Sequence, residues 1–205
     1  MSQFAVALIS GYLIGSIPTA YVIVRLFTKQ DIRLSGSGSV GAANTFKVTK
    51  SRSLSIFVGV FDILKGVAAF YAGLYAGGGE FLVAAVAGVA AVAGHNFSVW
   101  LRFKGGRGLA TAAGFLFPWV WPAPFLWVVM WGLLKKITGN THMSNVVATG
   151  VILIIALVAR GEWLVTITTG IEDPAHIRIA AAMLCGLIFI KHIEPVLSKR
   201  SGDLE

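Results

Sequence analysis

Charge is what this chain has least of. Aspartate, glutamate, lysine and arginine make up 13% of its 205 residues, about half the share found in an ordinary soluble domain. Residues 4–24 contain none at all. That run exceeds the ~20 apolar residues a bilayer-spanning helix needs. It is too long for the apolar core of a cleavable signal peptide, and no basic flank precedes it. Cysteine is nearly absent too. Cys185 stands alone, which excludes a disulfide framework and paired metal-binding thiolates; inside an apolar run it reads as a small core hydrophobe. No group of His, Cys and carboxylate residues has metal-ligand spacing, so neither a metal nor a cofactor is expected. The phosphate-loop pattern GxxxxGK[ST] is missing as well.

Apolar sequence is what remains. Hydrophobic residues are 56% of the chain and the mean hydropathy is +0.79. The reading is an all-α, integral, polytopic membrane protein forming one domain over residues 1–205. Apolar runs fall at 4–27, 54–76, 81–101, 109–117, 125–134, 145–159 and 177–190. Pro118, Pro122 and Pro124 interrupt what would otherwise be one span of 109–134, and prolines so close together break a helix. Seven spans result, with six as the fallback.

The net charge of +8 fits orientation better than nucleic-acid binding. Arg25, Lys29, Arg33, Lys47, Lys50 and Arg52 lie around the first loop, Arg102, Lys104 and Arg107 in the third, Lys135 and Lys136 in the fifth, and Lys191, Lys199 and Arg200 in the tail. The remaining loops hold only Arg160 and Arg178, with Glu80, Glu162, Glu172 and Asp173. Alternate loops are therefore basic, which places the N-terminus outside and the C-terminus in the cytoplasm. Trp119, Trp121 and Trp163 fall at the outer interface and Trp100 at the inner one. Gly11 and Gly15, spaced GxxxG, allow close helix approach.

Three segments on the cytoplasmic side could carry chemistry: SGSGSVGAANTFK (35–47), GHNFSVWLRFKGGRGLAT (94–111) and KHIEPVLSKRSGDLE (191–205). Glycines let successive backbone N–H groups turn toward one anion, serines add donors, and Lys47, Lys104 and Arg107 add charge. Two such loops point to phosphate. Asp62 and Lys65, at i, i+3 inside a span, pair with each other as a structural salt bridge. His95, His142 and His192 lie near cytoplasmic span ends and His176 on the other side; His192 is the candidate base.

Those residues resemble the acyl-phosphate:glycerol-3-phosphate acyltransferases of the PlsY type. GYLIGSIPTAYVIVRL looks like that family's opening helix, SGSGSVGAANTFK its first motif, FDILKG its second-helix signature, and GHNFSVWLRFKGGRGLAT its second motif. HMSNVVA, with Ser144, echoes a serine-bearing stretch, and KHIEPVLSKRSG has the layout of the third motif. The resemblance implies a fold with its motif loops on the cytoplasmic face of a bacterial inner membrane. The substrates it implies are acyl phosphate and glycerol 3-phosphate, and the products are lysophosphatidic acid and phosphate. A partner is the soluble enzyme that makes acyl phosphate; no nucleic acid is implied. Acyl phosphate has a good leaving group, so catalysis reduces to positioning and charge stabilisation.

Carried over by position, Ser35, Gly36, Ser37 and Gly38 cradle phosphate, and Asn44 and Lys47 bind or orient substrate. Lys104 neutralises phosphate charge, the Gly105 and Gly106 amides lie at the developing oxyanion, and His192 takes the hydroxyl proton unless the substrate's own phosphate does. Arg107 and Ser144 join the binding set; Asp62, Lys65 and His95 support it. Departures from the family pattern are Ser39, Ala43, Lys47, Ser98, Arg107, Pro195 and Ser198. The last two motivate an alternative, a catalytically degenerate phosphate- or phospholipid-binding membrane protein. A transporter of a phosphorylated solute is the third reading; transporter sites lie at the midplane, unlike these loops. The chain has no His-x4-Asp pair, which argues against enzymes using acyl-CoA or acyl-carrier protein.

Overall fold

The computed structural model describes residues 2–202, with side chains through His192. Pro195, Ser198, Lys199 and Arg200 lie outside the residues whose side chains are described. Every regular element among the described residues is helical. The chain forms two compact units, Met1–Phe115 and Leu116–Glu205.

The first unit is built around α1 (Gln3–Ser16), α2 (Thr19–Thr28), α3 (Ala42–Thr49), α4 (Arg52–Ala76) and α5 (Phe81–Asn96), and ends in the first turns of α6 (Leu109–Val120). The apolar run 4–27 is two helices rather than one. Pro18 has no N–H to continue α1 and forces Ile17 out of the helical region, to φ −55°, ψ 116°. The backbone carbonyls this break releases become part of the candidate site. α5 is the central helix: it packs on α1 and α4 and is buried on every side, which is why its sequence is mostly alanine, glycine and valine. Gly11 and Gly15 of α1 lie so close to α5 that a side chain on either would run into the backbone of Ala87 or Ala91, the close approach small residues permit.

The second unit contains α7 (Pro122–Thr138), α8 (Thr141–Val158), the short α9 (Gly161–Thr166) and α10 (Pro174–Gly202). Pro118 is accommodated inside α6, and the proline-rich break narrows to Trp121, with Pro122 in the first turn of α7. Gly139, at φ 65°, ends α7. Asn140 then caps α8 through its side-chain oxygen, which accepts from the His142 and Met143 N–H groups. α8 packs against both α7 and α10.

Among the described residues, five helical stretches are long and apolar enough to cross a membrane: Gln3–Thr28, Arg52–Ala76, Phe81–Leu101, Thr141–Val158 and Pro174–His192. α6, with 12 residues, reaches about 18 Å at 1.5 Å per residue, short of the ~30 Å hydrocarbon core.

Candidate active site

The first loop is held in shape by one side chain. Gly36 and Gly38 take left-handed conformations, φ 63° and 69°, which bend the chain back over the start of α3. Asn44, 2% exposed, fills the bend. Its Oδ1 accepts from the Ser37 N–H at 2.8 Å, and its Nδ2 donates to Ile32 O at 3.1 Å and Ser35 O at 3.0 Å. A carboxamide engaged on both ends with backbone shapes the loop. The signal for this role was present in the sequence as an asparagine following two glycines, but nothing in spacing separates it from a ligand-binding asparagine.

Beyond the bend, Gly41 precedes α3 with no side-chain cap, so the first-turn amides of α3 are available to an anion. Ser35 is half-buried, with its hydroxyl 3.4 Å from Gln30 Oε1; Gly36, Ser37 and Lys47 are exposed. The loop's entry is fixed by Arg33, which makes a bidentate contact with Asp31, lies 5.1 Å from the Tyr21 ring centroid and donates to Leu101 O of the second loop. Hydrogen bonding to Arg33 holds the Asp31 carboxyl below its ordinary value.

The second loop leaves α5 through a 3-10 turn, Val99–Leu101. Arg102 and Phe103 then take positive φ, throwing Lys104 out into solvent. The chain returns along the end of α5: Gly105 N–H donates to Asn96 O at 3.2 Å and Gly106 N–H to His95 O at 2.9 Å. These are the two amides expected at an oxyanion, and both are taken up by backbone. Their glycines serve close approach instead. A Cβ on Gly105 would strike His95 O, and one on Gly106 would strike the His95 ring and Val40 O of the first loop. The two glycine-rich loops therefore touch at Val40 and Gly106. The first-turn N–H groups of α6, from Leu109 to Thr111, have no preceding intrahelical acceptor and begin two residues after Arg107. Burial pushes the Arg107 guanidinium below its ordinary value, and it remains a cation.

Beneath the loops lies a buried ionic cluster. Lys65 Nζ is 2.6 Å from Asp62 Oδ1 and donates to Ile17 O at 2.5 Å, one of the carbonyls freed by Pro18. His95 Nδ1 is 3.7 Å from the same Asp62 oxygen, while its Nε2 edge faces Gly106. The other freed carbonyl, Ser16 O, accepts from Ser98 Oγ at 2.6 Å, and Trp100 Nε1 donates to Ser16 Oγ at 3.0 Å. Thr19, Asp62, Lys65, His95, Ser98 and Gly105 line a small cavity here. Sequence reasoning expected the Asp62–Lys65 pair and missed the Ser16–Ser98–Trp100 bonds, which join residues more than 80 positions apart.

In the second unit, Ser144 is buried and its hydroxyl donates to Asn140 O at 2.7 Å. His192 is fully buried. Its Nδ1 is 2.9 Å from Ile188 O; a carbonyl only accepts, so Nδ1 carries a proton. The His142 ring centroid lies 6.0 Å away.

The glycerol-3-phosphate acyltransferase family model matches residues 5–199. The chain belongs to this family. A Bradyrhizobium diazoefficiens glycerol-3-phosphate acyltransferase is 43% identical over 145 residues, 70% of this chain and 71% of its own. One from Brucella canis is 35% identical over 186 residues, 91% of this chain and 84% of its own. The crystal structure of PlsY in its glycerol 3-phosphate form superposes with a TM-score of 0.78 at 27% identity, covering 97% of this chain and 92% of that one. The lysophosphatidic acid form of PlsY gives 0.77 at 26% identity. The family match runs through both glycine-rich loops, the Asp62–Lys65 pair and His192.

Proposed function

We propose that this protein is an acyltransferase that moves a fatty acyl group from acyl phosphate to the 1-hydroxyl of glycerol 3-phosphate, yielding lysophosphatidic acid and inorganic phosphate. The observation that carries this reading is the junction of two glycine-rich loops at Val40 and Gly106, with Lys104 exposed above it, in a chain of this family. Both substrates bear phosphate, and one bears a chain best kept in lipid.

The hydroxyl oxygen attacks the acyl carbon, the carbonyl oxygen becomes an oxyanion, and its collapse breaks the bond to phosphate. The leaving group is already good, so no enzyme nucleophile is required. Ser35, Gly36, Ser37, Gly38 and the α3 N-terminus hold phosphate; Lys47, Arg107 and Ser144 add contacts. Lys104 and the α6 first-turn amides stabilise the oxyanion and the departing phosphate, in place of the engaged Gly105 and Gly106 amides. His192 Nε2 accepts the hydroxyl proton, a role the substrate's phosphate can share. Asn44, Asp62, Lys65 and His95 position the loops.

In this reading the chain is one polytopic domain with seven membrane segments in a bacterial inner membrane, counting α6 and α7 separately, with the short α6 completing its crossing through the flanking residues rather than by helix alone. Its N-terminus is outside, its active site and C-terminus are cytoplasmic, and a soluble enzyme supplies the acyl phosphate. The test is direct. Purified protein in lipid cubic phase receives palmitoyl phosphate and glycerol 3-phosphate while released phosphate is followed. Release that depends on glycerol 3-phosphate and disappears in Lys104→Ala supports the assignment; no release from folded protein overturns it.

A further inference from the structure

The cavity beneath the loops is lined by two polar groups whose bonding is incomplete. Lys65 is 6% exposed, and its ammonium carries three protons. Asp62 Oδ1 takes one at 2.6 Å and Ile17 O a second at 2.5 Å. The third has no acceptor among the described residues. Thr19, the first residue of α2, has a hydroxyl shut off from solvent and likewise without a partner among the described residues. The two groups make no bond to each other, yet both line the same cavity. Its volume of about 10 Å³ is room for one water molecule.

An unpaired polar group in the interior is costly, and most of all an ammonium. The cavity is therefore shaped for a group that accepts from Lys65 and pairs with Thr19. Phosphate or carboxylate exceeds the space and would meet the Asp62 carboxylate, while a metal cation would meet the Lys65 ammonium. Water meets neither objection. It accepts from Lys65 Nζ, donates one proton to Thr19 Oγ1, and has a second for Asp62 or for a spare lone pair on the Ser16 carbonyl, both residues of the cavity wall. We infer that this cavity holds one ordered water bridging Lys65 and Thr19, and that Thr19 is thereby a positioning residue for the phosphate loops.

The bridge reaches the loops through α2. Ala20 and Val24, on the same helix, pack with Ile32, Val40 and Leu101 in one apolar cluster. Ile32 and Val40 flank the glycines of the first loop, Leu101 belongs to the second, and Val40 is the residue that meets Gly106. Tying the start of α2 to Lys65 of α4 holds that cluster, and with it the junction of the loops. The water follows from geometry alone; its effect on substrate rests on the acyltransferase reading.

The test pairs crystal structures grown in lipid cubic phase with kinetics, for wild type, Thr19→Val and Thr19→Ser. Wild type should show a water peak within about 3.2 Å of both Lys65 Nζ and Thr19 Oγ1. Thr19→Val keeps the shape and removes the hydroxyl, so the peak should vanish; Thr19→Ser should keep it. With palmitoyl phosphate as donor, Thr19→Val should raise KM for glycerol 3-phosphate about 2- to 10-fold, the worth of one hydrogen bond, with kcat changed less than about twofold. Thr19→Ser should restore KM. No peak in wild type overturns the inference even where Thr19→Val fails to fold, and a peak that survives Thr19→Val at full height overturns Thr19 as its partner. A lost peak with KM unchanged overturns the positioning role, since a merely structural water would lower Tm alone. A wild type with the peak but no turnover of glycerol 3-phosphate upholds the water and overturns the acyltransferase reading.

Discussion

Asn44 offers the sharpest test of how the phosphate loop is built. Its side chain makes three hydrogen bonds to backbone: one from Ser37 N–H, and two to the carbonyls of Ile32 and Ser35. Asn44→Ala deletes all three. The bond to Ile32 O is buried, so its loss carries an unpaired-acceptor cost of about 1–3 kcal/mol. Ser37 and Ser35 lie nearer solvent, where water replaces the lost partner and each loss costs about 0.5–1 kcal/mol. The sum is about 2–5 kcal/mol. For a chain of this length that corresponds to a fall in Tm of roughly 4–20 °C, read by thermal unfolding in detergent, with a raised KM for phosphate-bearing substrate in the phosphate-release assay. Asn44→Asp makes a stricter comparison. The carboxylate still accepts from Ser37 N–H but presents its second oxygen to two carbonyls, so it should be as destabilising as alanine or worse. A side chain that only touches ligand would behave differently: Tm would hold and KM alone would rise. Unchanged Tm in Asn44→Ala refutes the clamp.

Three further outcomes are expected. Lys104→Ala removes the exposed cation of the second loop and should lower kcat about 10²–10³-fold, the scale for one oxyanion-stabilising donor, with little change in Tm. Lys65→Met leaves the Asp62 carboxylate buried without its 2.6 Å partner and should cost about 3–5 kcal/mol, whereas the double variant Asp62→Asn, Lys65→Met should recover part of that stability. Asp31 is held below its ordinary value by Arg33, so its contribution is complete above the unfolded carboxyl pKa of about 3.9. That contribution is lost as pH falls through the lower folded value; Asp31→Asn should therefore reduce stability at pH 6 and narrow its gap to wild type as pH approaches 3, measured by Tm across that range.

The fold was legible where composition forced it. Long apolar runs at 54–76 and 81–101 could be little else than helices, and the structure has α4 at Arg52–Ala76 and α5 at Phe81–Asn96. The break at Pro18 was hidden because the run 4–27 is apolar on both sides of it, so hydropathy passes through unchanged while the backbone does not. The site was legible in kind: glycine, serine and lysine in two loops announced an anion. It was not legible in detail. Spacing cannot show that the Gly105 and Gly106 amides turn inward to Asn96 O and His95 O, because a glycine that frees an N–H for a ligand and one that lets two chains touch look identical in sequence.

The inward turn also accounts for the cost of an ion pair inside a span. Asp62 and Lys65, 1% and 6% exposed, sit where charge is expensive, and a buried pair alone is weak grounds for stability. This pair has more to do than satisfy itself. Lys65 caps the Ile17 carbonyl released by Pro18, and Asp62 lies against His95, whose other edge faces Gly106. Gly106 in turn touches Val40 of the first loop. The helix break, the ion pair, the histidine and both phosphate loops thus form one continuous chain of contacts within the first unit, from residue 17 to residue 106. Replacing the pair by apolar side chains of similar volume would retain the packing but lose the cap and the contact to His95. The result would be a stable protein with poorly held loops: near-normal Tm together with raised KM, in the opposite pattern to Asn44→Ala's combined loss. That contrast separates a brace that orients the loops from a bridge that merely keeps the bundle folded.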